Sequence, residues 1–230
     1  MKTYLINLDR NPERLAFMRG QLERLGMGFE RFPAVYGREL SPDDRARGFS
    51  RVRSFIASKK RLSDAEIGVA MSHVGCCRRM AEAEEPYALV LEDDVVLSEG
   101  FSDALSRVEA FLNPGRPQLV VLSGYGVDGA ESMPPEIRAE KSAWCADAYV
   151  LTLPAAHLIL KANDPVLTVA DSFKRWRRRF GLELYRALPA TARQDDEAFK
   201  SENLVLPKSN WLVRNVMWVL DWLLWKATGR

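Results

Sequence analysis

The stretch from Tyr87 to Leu97, Tyr-Ala-Leu-Val-Leu-Glu-Asp-Asp-Val-Val-Leu, constrains the fold of this chain more than any other. Entered through Pro86, an apolar run rich in β-branched residues predicts a buried strand, yet Glu92, Asp93 and Asp94 fall consecutively in its second half. Three ionised carboxylates cannot be buried without a large desolvation cost. Either they reach solvent in a turn that closes a core strand, or they face a cation that neutralises them. The second reading implies a divalent-metal site.

The flanking sequence predicts an α/β arrangement. Thr3–Leu8 reads as a short strand, Asn11-Pro12 as a helix start, and Leu15, Met18, Leu22 and Leu25 as one helical face stopped by Gly26. That is the opening half of a βαβ unit, whose strand-to-helix turn lies at the ligand-binding edge of an open sheet. Phe29–Val35 reads as the next strand, placed at an edge or bulge by Pro33. Gly37–Arg61 reads as loop with some short helix; its Arg and Lys residues either form a solvated surface or gather an anionic substrate. Ser63 and Glu66 form a capping box for a helix running to about Glu84. Ser72 and His73 fall off its apolar face, either toward a site or in structural roles.

Beyond the acidic strand, the pattern predicts a helix over Phe101–Leu112, a buried strand over Gln118–Ser123, and loop with short edge strands through Lys141. Ala143–Thr152 reads as a strand carrying a buried acid, Asp147, and Pro154 opens a helix through Lys161. Leu182–Leu188 reads as a strand and Pro189–Gln194 as a return loop. Lys174, Arg175, Arg177, Arg178 and Arg179 are too dense to be core; they sit at a solvated helix end or face an anionic partner.

The tail differs in kind. On a helix, Trp211, Trp218, Trp222 and Trp225 form a stripe opposite Leu212, Val216, Leu220, Leu223 and Leu224. Interrupted by Arg214 and Asp221, it is too short and too polar to span a bilayer core of roughly 30 Å. It either docks on the protein or lies in a membrane interface, where tryptophan is favoured.

Composition narrows the partners. With 47% hydrophobic and 28% charged residues, the 230-residue chain reads as a soluble globular protein, and its net charge of +2 is too small to argue for nucleic acid. Cys76, Cys77 and Cys145 show no metal-ligand spacing and read as reduced core residues. No signal-peptide run opens the chain, so the expected location is cytoplasmic.

Three motifs in order, Tyr4-Leu5-Ile6-Asn7-Leu8-Asp9-Arg10 with Arg14, Glu66-Ile67-Gly68-Val69-Ala70-Met71-Ser72-His73, and Tyr87–Val95, resemble glycosyltransferase family 25. The resemblance is strongest over the first half of the chain. It implies a GT-A-like (Rossmann-like) α/β mixed sheet flanked by helices; residues 1–208 read as that catalytic domain, and 209–230 as the separate C-terminal amphipathic helix. It also implies an inverting transfer from a UDP-sugar, commonly UDP-galactose, to a lipopolysaccharide or other lipid-linked acceptor, at the cytoplasmic face of the inner membrane if the tail is interfacial.

Glu92-Asp93-Asp94 then stands where an Asp-x-Asp motif would hold Mn²⁺ or Mg²⁺ against the diphosphate, with Asp94 as the first metal ligand and Glu92 beside it. Asn7, Leu8, Asp9, Arg10, Arg14, Ser72, His73, Glu92 and Asp93 are the residues expected near the donor. An inverting transfer needs a general base. Asp171 is the first candidate, Asp147 the second, and Asp195 or Asp196 the third. Two other readings compete: a catalytically degenerate, membrane-associated nucleotide-sugar-binding or scaffold protein, and a metal-dependent nucleotidyltransferase. The latter is weakened by the lack of a GxxxxGK[ST] phosphate loop.

Overall fold

A computed structural model describes residues 1–195 and 211–229 of the chain. Its centre is a seven-stranded mixed sheet. In chain order the strands are β1 (Lys2–Asn7), β2 (Glu30–Pro33), β3 (Tyr87–Glu92), β4 (Val95–Leu97), β5 (Gln118–Val121), β6 (Glu136–Ala139), β7 (Ala148–Thr152), β8 (Glu183–Leu188) and β9 (Ala192–Gln194). The large sheet runs β2-β1-β3-β7-β5-β8-β6, while β4 and β9 form a separate antiparallel pair. β2, β1 and β3 are parallel, and β7 is antiparallel to both β3 and β5. The carboxyl ends of β1, β2, β3 and β5 therefore share one edge with the start of β7, which is what assembles the site.

The helices are α1 (Pro12–Arg24), α2 (Pro42–Gly48), α3 (Arg51–Ser58), α4 (Asp64–Glu82), α5 (Phe101–Phe111), α6 (Leu153–Asn163), α7 (Phe173–Phe180) and α8 (Trp211–Thr228). Strand alternation divides the core between two faces. Tyr4, Ile6, Ala88 and Val90 pack with Cys76, Cys77 and Met80 of α4, Ile159 of α6 and Trp176 of α7. Leu5, Leu89, Leu91 and Val150 pack with Met18 and Leu22 of α1 and Phe101 and Val108 of α5. The result is a helix-sheet-helix sandwich, in agreement with the α/β class expected.

Local signals act much as the sequence indicates. Pro12 opens α1, although Asn11 makes no side-chain capping bond, and Gly26 ends that helix region at φ +66°. Ser63 and Glu66 form the reciprocal capping box of α4. β2 is an edge strand, as Pro33 requires.

Several elements differ from expectation. Tyr87–Leu97 is two strands broken by a turn at Asp93-Asp94, because the buried edge cannot accept three consecutive acids in extended pairing. The strand expected from Ala143 begins only at Ala148, and Pro189–Gln194 contains β9, which pairs with β4. The basic stretch after Gly37 is largely helical, in α2 and α3. The 208/209 domain boundary, and Asp196, lie outside the described residues.

Candidate active site

The acids of the β3–β4 turn are held by residues from β1 and α1. Arg31 on β2 donates through Nε to Asn7 Oδ1 at 2.9 Å and through Nη2 to Asn7 O at 3.1 Å. This fixes the Asn7 amide so that Nδ2 donates to Asp93 Oδ2 at 2.7 Å and to Asn11 O at 3.0 Å. Arg14 Nη1, in the first turn of α1, lies 3.1 Å from Asp93 Oδ1 and 3.4 Å from Asp94 Oδ2. Arg31 is part of this support, yet nothing in the sequence singled it out; only its place beside Asn7 across the parallel β1–β2 pair reveals it.

From α4, His73 enters the opposite wall. Nε2 lies 3.0 Å from Glu92 Oε1 and Nδ1 2.9 Å from Tyr149 Oη. Burial pushes the Tyr149 phenol well up, so it remains a donor. A tautomer with the proton on Nε2 satisfies both contacts: the imidazole donates to the Glu92 carboxylate and accepts from Tyr149. Ser72 has a backbone role, accepting from Val35 N at 2.8 Å and donating to Gly68 O at 2.8 Å.

This places the loop after β2 against α4. A Cβ on Gly68 would stand 2.4 Å from Val35 O, and one on Gly37 1.7 Å from Asp64 O. Only glycine admits that approach, which brings Tyr36 and Arg38 to the rim.

Asn7, Leu8, Arg14, Ser72, His73, Glu92, Asp93 and Asp94 line one cleft that opens to solvent. Asp9 and Arg10 are not among its lining residues: the Asp9 side chain is 83% exposed and bonded to Arg31, and Arg10 stacks on the rim residue Tyr36, 4.0 Å from its ring centroid. Asp147 and Asp171 do not line this cleft, but both sense the Glu92 charge. Asp147 immediately precedes antiparallel β7 and gives its carbonyl to Glu92 N at 2.8 Å. Asp171 Oδ2 accepts from Cys145 N at 3.3 Å. Asp195 meets the site through its backbone, donating to Asp94 O at 2.8 Å.

The site is short of positive charge. Burial and the charges of Glu92 and Asp93 push the Asp94 carboxyl up to about 7, with Arg14 opposing. Burial likewise raises Asp93 and Asp171, and lifts Asp147 to about 6. Asp94 Oδ1 is buried with no hydrogen-bond partner. Among the described residues no three His, Cys, Asp or Glu side chains form a preassembled metal cage. The oxygens available at Glu92 and at the unpartnered Asp94 Oδ1 are hard donors, the type that magnesium and manganese accept.

Comparisons with known proteins decide the family. The model of glycosyltransferase family 25 (LPS biosynthesis protein) matches residues 1–131, which contain β1, α4, β3 and every residue named in the cleft. The chain belongs to glycosyltransferase family 25. Similar family-25 proteins include the glycosyltransferase 25 family members of Anopheles gambiae (31% identical over 170 residues, 69% of this chain) and Drosophila pseudoobscura pseudoobscura (32% over 172 residues, 70%). That of Aedes aegypti is 36% identical over 109 residues, 46% of this chain. The matches span 28%, 27% and 18% of those relatives' lengths respectively, so the chain corresponds to under a third of each.

Proposed function

We propose that the protein is a metal-dependent, inverting glycosyltransferase that moves a sugar, galactose as the first choice, from a UDP-sugar to a lipid-linked oligosaccharide such as lipopolysaccharide. The observation that carries the reading is Asp94 Oδ1, buried and without a partner in a family-25 cleft at the carboxyl edge of the sheet. Asp94 and Glu92 would hold Mn²⁺ or Mg²⁺; when bound, the ion offsets charge on the diphosphate leaving group. Asn7 and Arg14 keep Asp93 in place beside them. His73, braced by Tyr149, orients Glu92. Leu8, Asn11 and Tyr36 supply the remaining wall for the nucleotide.

In the transfer, the acceptor oxygen forms its bond to the anomeric carbon as the bond from that carbon to the diphosphate oxygen breaks. The electron pair leaves with UDP, and the acceptor proton passes to a carboxylate. Asp171 is the base we favour, because it is partly exposed, whereas Asp147 is 1% exposed. Asp147 then serves to shape the edge next to Glu92.

The test is UDP release from a panel of UDP-sugars with Mn²⁺ and an oligosaccharide acceptor. Turnover by the wild type and its loss in Asp94→Ala is the expected outcome. Equal background in both sinks the reading. UDP binding without turnover with any donor favours the degenerate binding protein instead.

A further inference from the structure

A second charged region lies away from the acidic cleft, where α3, α7 and α8 meet. Lys59 and Lys60 follow α3, and Lys174, Arg175, Arg178 and Arg179 come from α7; together they line a groove closed on its far side by α8. Asp221 is the acid of α8 that enters it. It is 3% exposed and lies 2.6 Å from Arg175 Nη1, 2.7 Å from Arg179 Nη1 and 3.9 Å from Lys59 Nζ. Lys60 is paired with Glu66. Lys174 and Arg178 are exposed at the rim of the groove, and burial and the surrounding arginines hold the Lys59 ammonium below its usual range. Arg175 Nε is buried without a hydrogen-bond partner.

The outward side of α8 has the opposite character. With Asp221 fixing the inward side, Trp218, Trp222, Val219, Leu223, Val216 and Leu220 fall within an arc of about 200° around the helix at roughly 100° per residue, a sector that the exposed Asn215 and Lys226 enter near the two ends of the helix. All six are exposed, from 38% at Leu220 to 56% at Trp218. Trp218 and Trp222 also line the basic groove, so the apolar arc and the cations adjoin. Lys226 lies over the Trp222 ring at 5.4 Å. No helix among the described residues is long and apolar enough to cross a membrane.

We propose that this composite surface docks on an anionic phospholipid bilayer. The exposed arc of α8 enters the headgroup layer, and Lys174 and Arg178 of α7 engage lipid phosphates. Adjoining tryptophans and cations match both layers of such a surface, the apolar boundary and the phosphates above it. A solvated charge run explains the cations but not the apolar arc beside them. A second protein copy explains the arc but would have to accommodate the like charges of two grooves at its rim. The proposal adds to the transferase reading, in which the acceptor is lipid-linked, a defined surface that brings the enzyme to that lipid.

The experiment is co-sedimentation of the full chain with phosphatidylcholine vesicles, with and without phosphatidylglycerol, alongside Trp218→Ser/Trp222→Ser and Lys174→Glu/Arg178→Glu. Binding to the anionic vesicles is expected to exceed binding to neutral ones by at least tenfold and to weaken with salt. Each double variant is expected to lose at least tenfold, with circular dichroism and Tm verifying its fold. Equal binding by folded variants overturns the proposal. So does release of the vesicles by inorganic phosphate beyond an ionic-strength-matched chloride control, which marks a soluble-phosphate site. A concentration-dependent dimer lost in the tryptophan variant, without vesicle binding, assigns the face to a second copy. UDP titrated into the same samples reads the other cleft: vesicle binding without UDP binding preserves this proposal and sinks the transferase reading, and the reverse result does the opposite.

Discussion

The acidic edge at β3 and the basic groove beneath α8 are both dense charge clusters, but the fold resolves them in opposite ways. At the edge, Glu92, Asp93 and Asp94 meet Arg14 and His73, with Asp147 and Asp171 nearby, and burial raises the carboxyls of Asp93, Asp94, Asp147 and Asp171. In the groove, one buried carboxylate, Asp221, organises several cations that otherwise look outward. On the readings proposed above, the buried acidic cluster would receive a cation, whereas the open basic one would meet a broad anionic surface.

Substitutions test that contrast, the largest effect first. Asp94→Asn removes the unpartnered oxygen's charge and is expected to lower UDP-sugar turnover about a thousandfold, the scale of several kcal/mol of lost charge stabilisation. The same variant is expected to raise Tm, because it relieves like-charge repulsion in the buried turn. A variant that loses turnover and Tm together would point to a structural role instead. Asp171→Asn is expected to cost ~10²–10⁴-fold in kcat, with Asp147→Asn costing less. The reverse order in single-turnover rates would exchange their roles.

Arg14→Ala leaves Asp93 without its ion-pair partner in a side chain only 11% exposed, and is expected to destabilise the fold by about 3 kcal/mol in urea titrations. Asp221→Asn affects a smaller unit. It removes the acid shared by Arg175 and Arg179, and hydrogen exchange is expected to rise along α8 while the sheet keeps its protection.

The pH response has an unusual sign. The Asp94 carboxyl moves from 3.8 to about 7 on folding, so between those values the folded chain keeps a proton that the unfolded chain has released. Stability from this group is present at low pH and is lost as pH rises toward 7; Asp147 adds the same sign up to about 6. Metal-free Tm should therefore fall across this interval more in the wild type than in Asp94→Asn. Mn²⁺ with UDP should bind more tightly as pH rises through it, since the ligand must be deprotonated.

Much of the α/β order was legible because its signals are local. The Ser63–Glu66 box, Gly26 and the alternating apolar runs each act within a few residues. The tail shows the limit of such signals. Its tryptophans suggested a stripe that docks or meets a membrane, but Asp221 rather than any tryptophan centres the buried side, because two arginines of α7 wait there. The five-cation run was legible as a run, while its division between Arg175 and Arg179, paired inward, and the exposed Lys174, Arg177 and Arg178 was not.

By itself, the sequence determined a strand that ends in acids, a capped helix to pack on it, and an ordered set of family-25 motifs. The tertiary structure decided which groups answer those acids. Asn7 reaches Asp93 across 86 positions, Arg14 across 79, and His73 meets Tyr149 across 76. Those contacts exist only because parallel crossovers return β3 beside β1 and antiparallel β7 starts at the edge where they end. Local propensity acts over one or two turns of chain; the electrostatics of a buried site depend on which distant strands are neighbours.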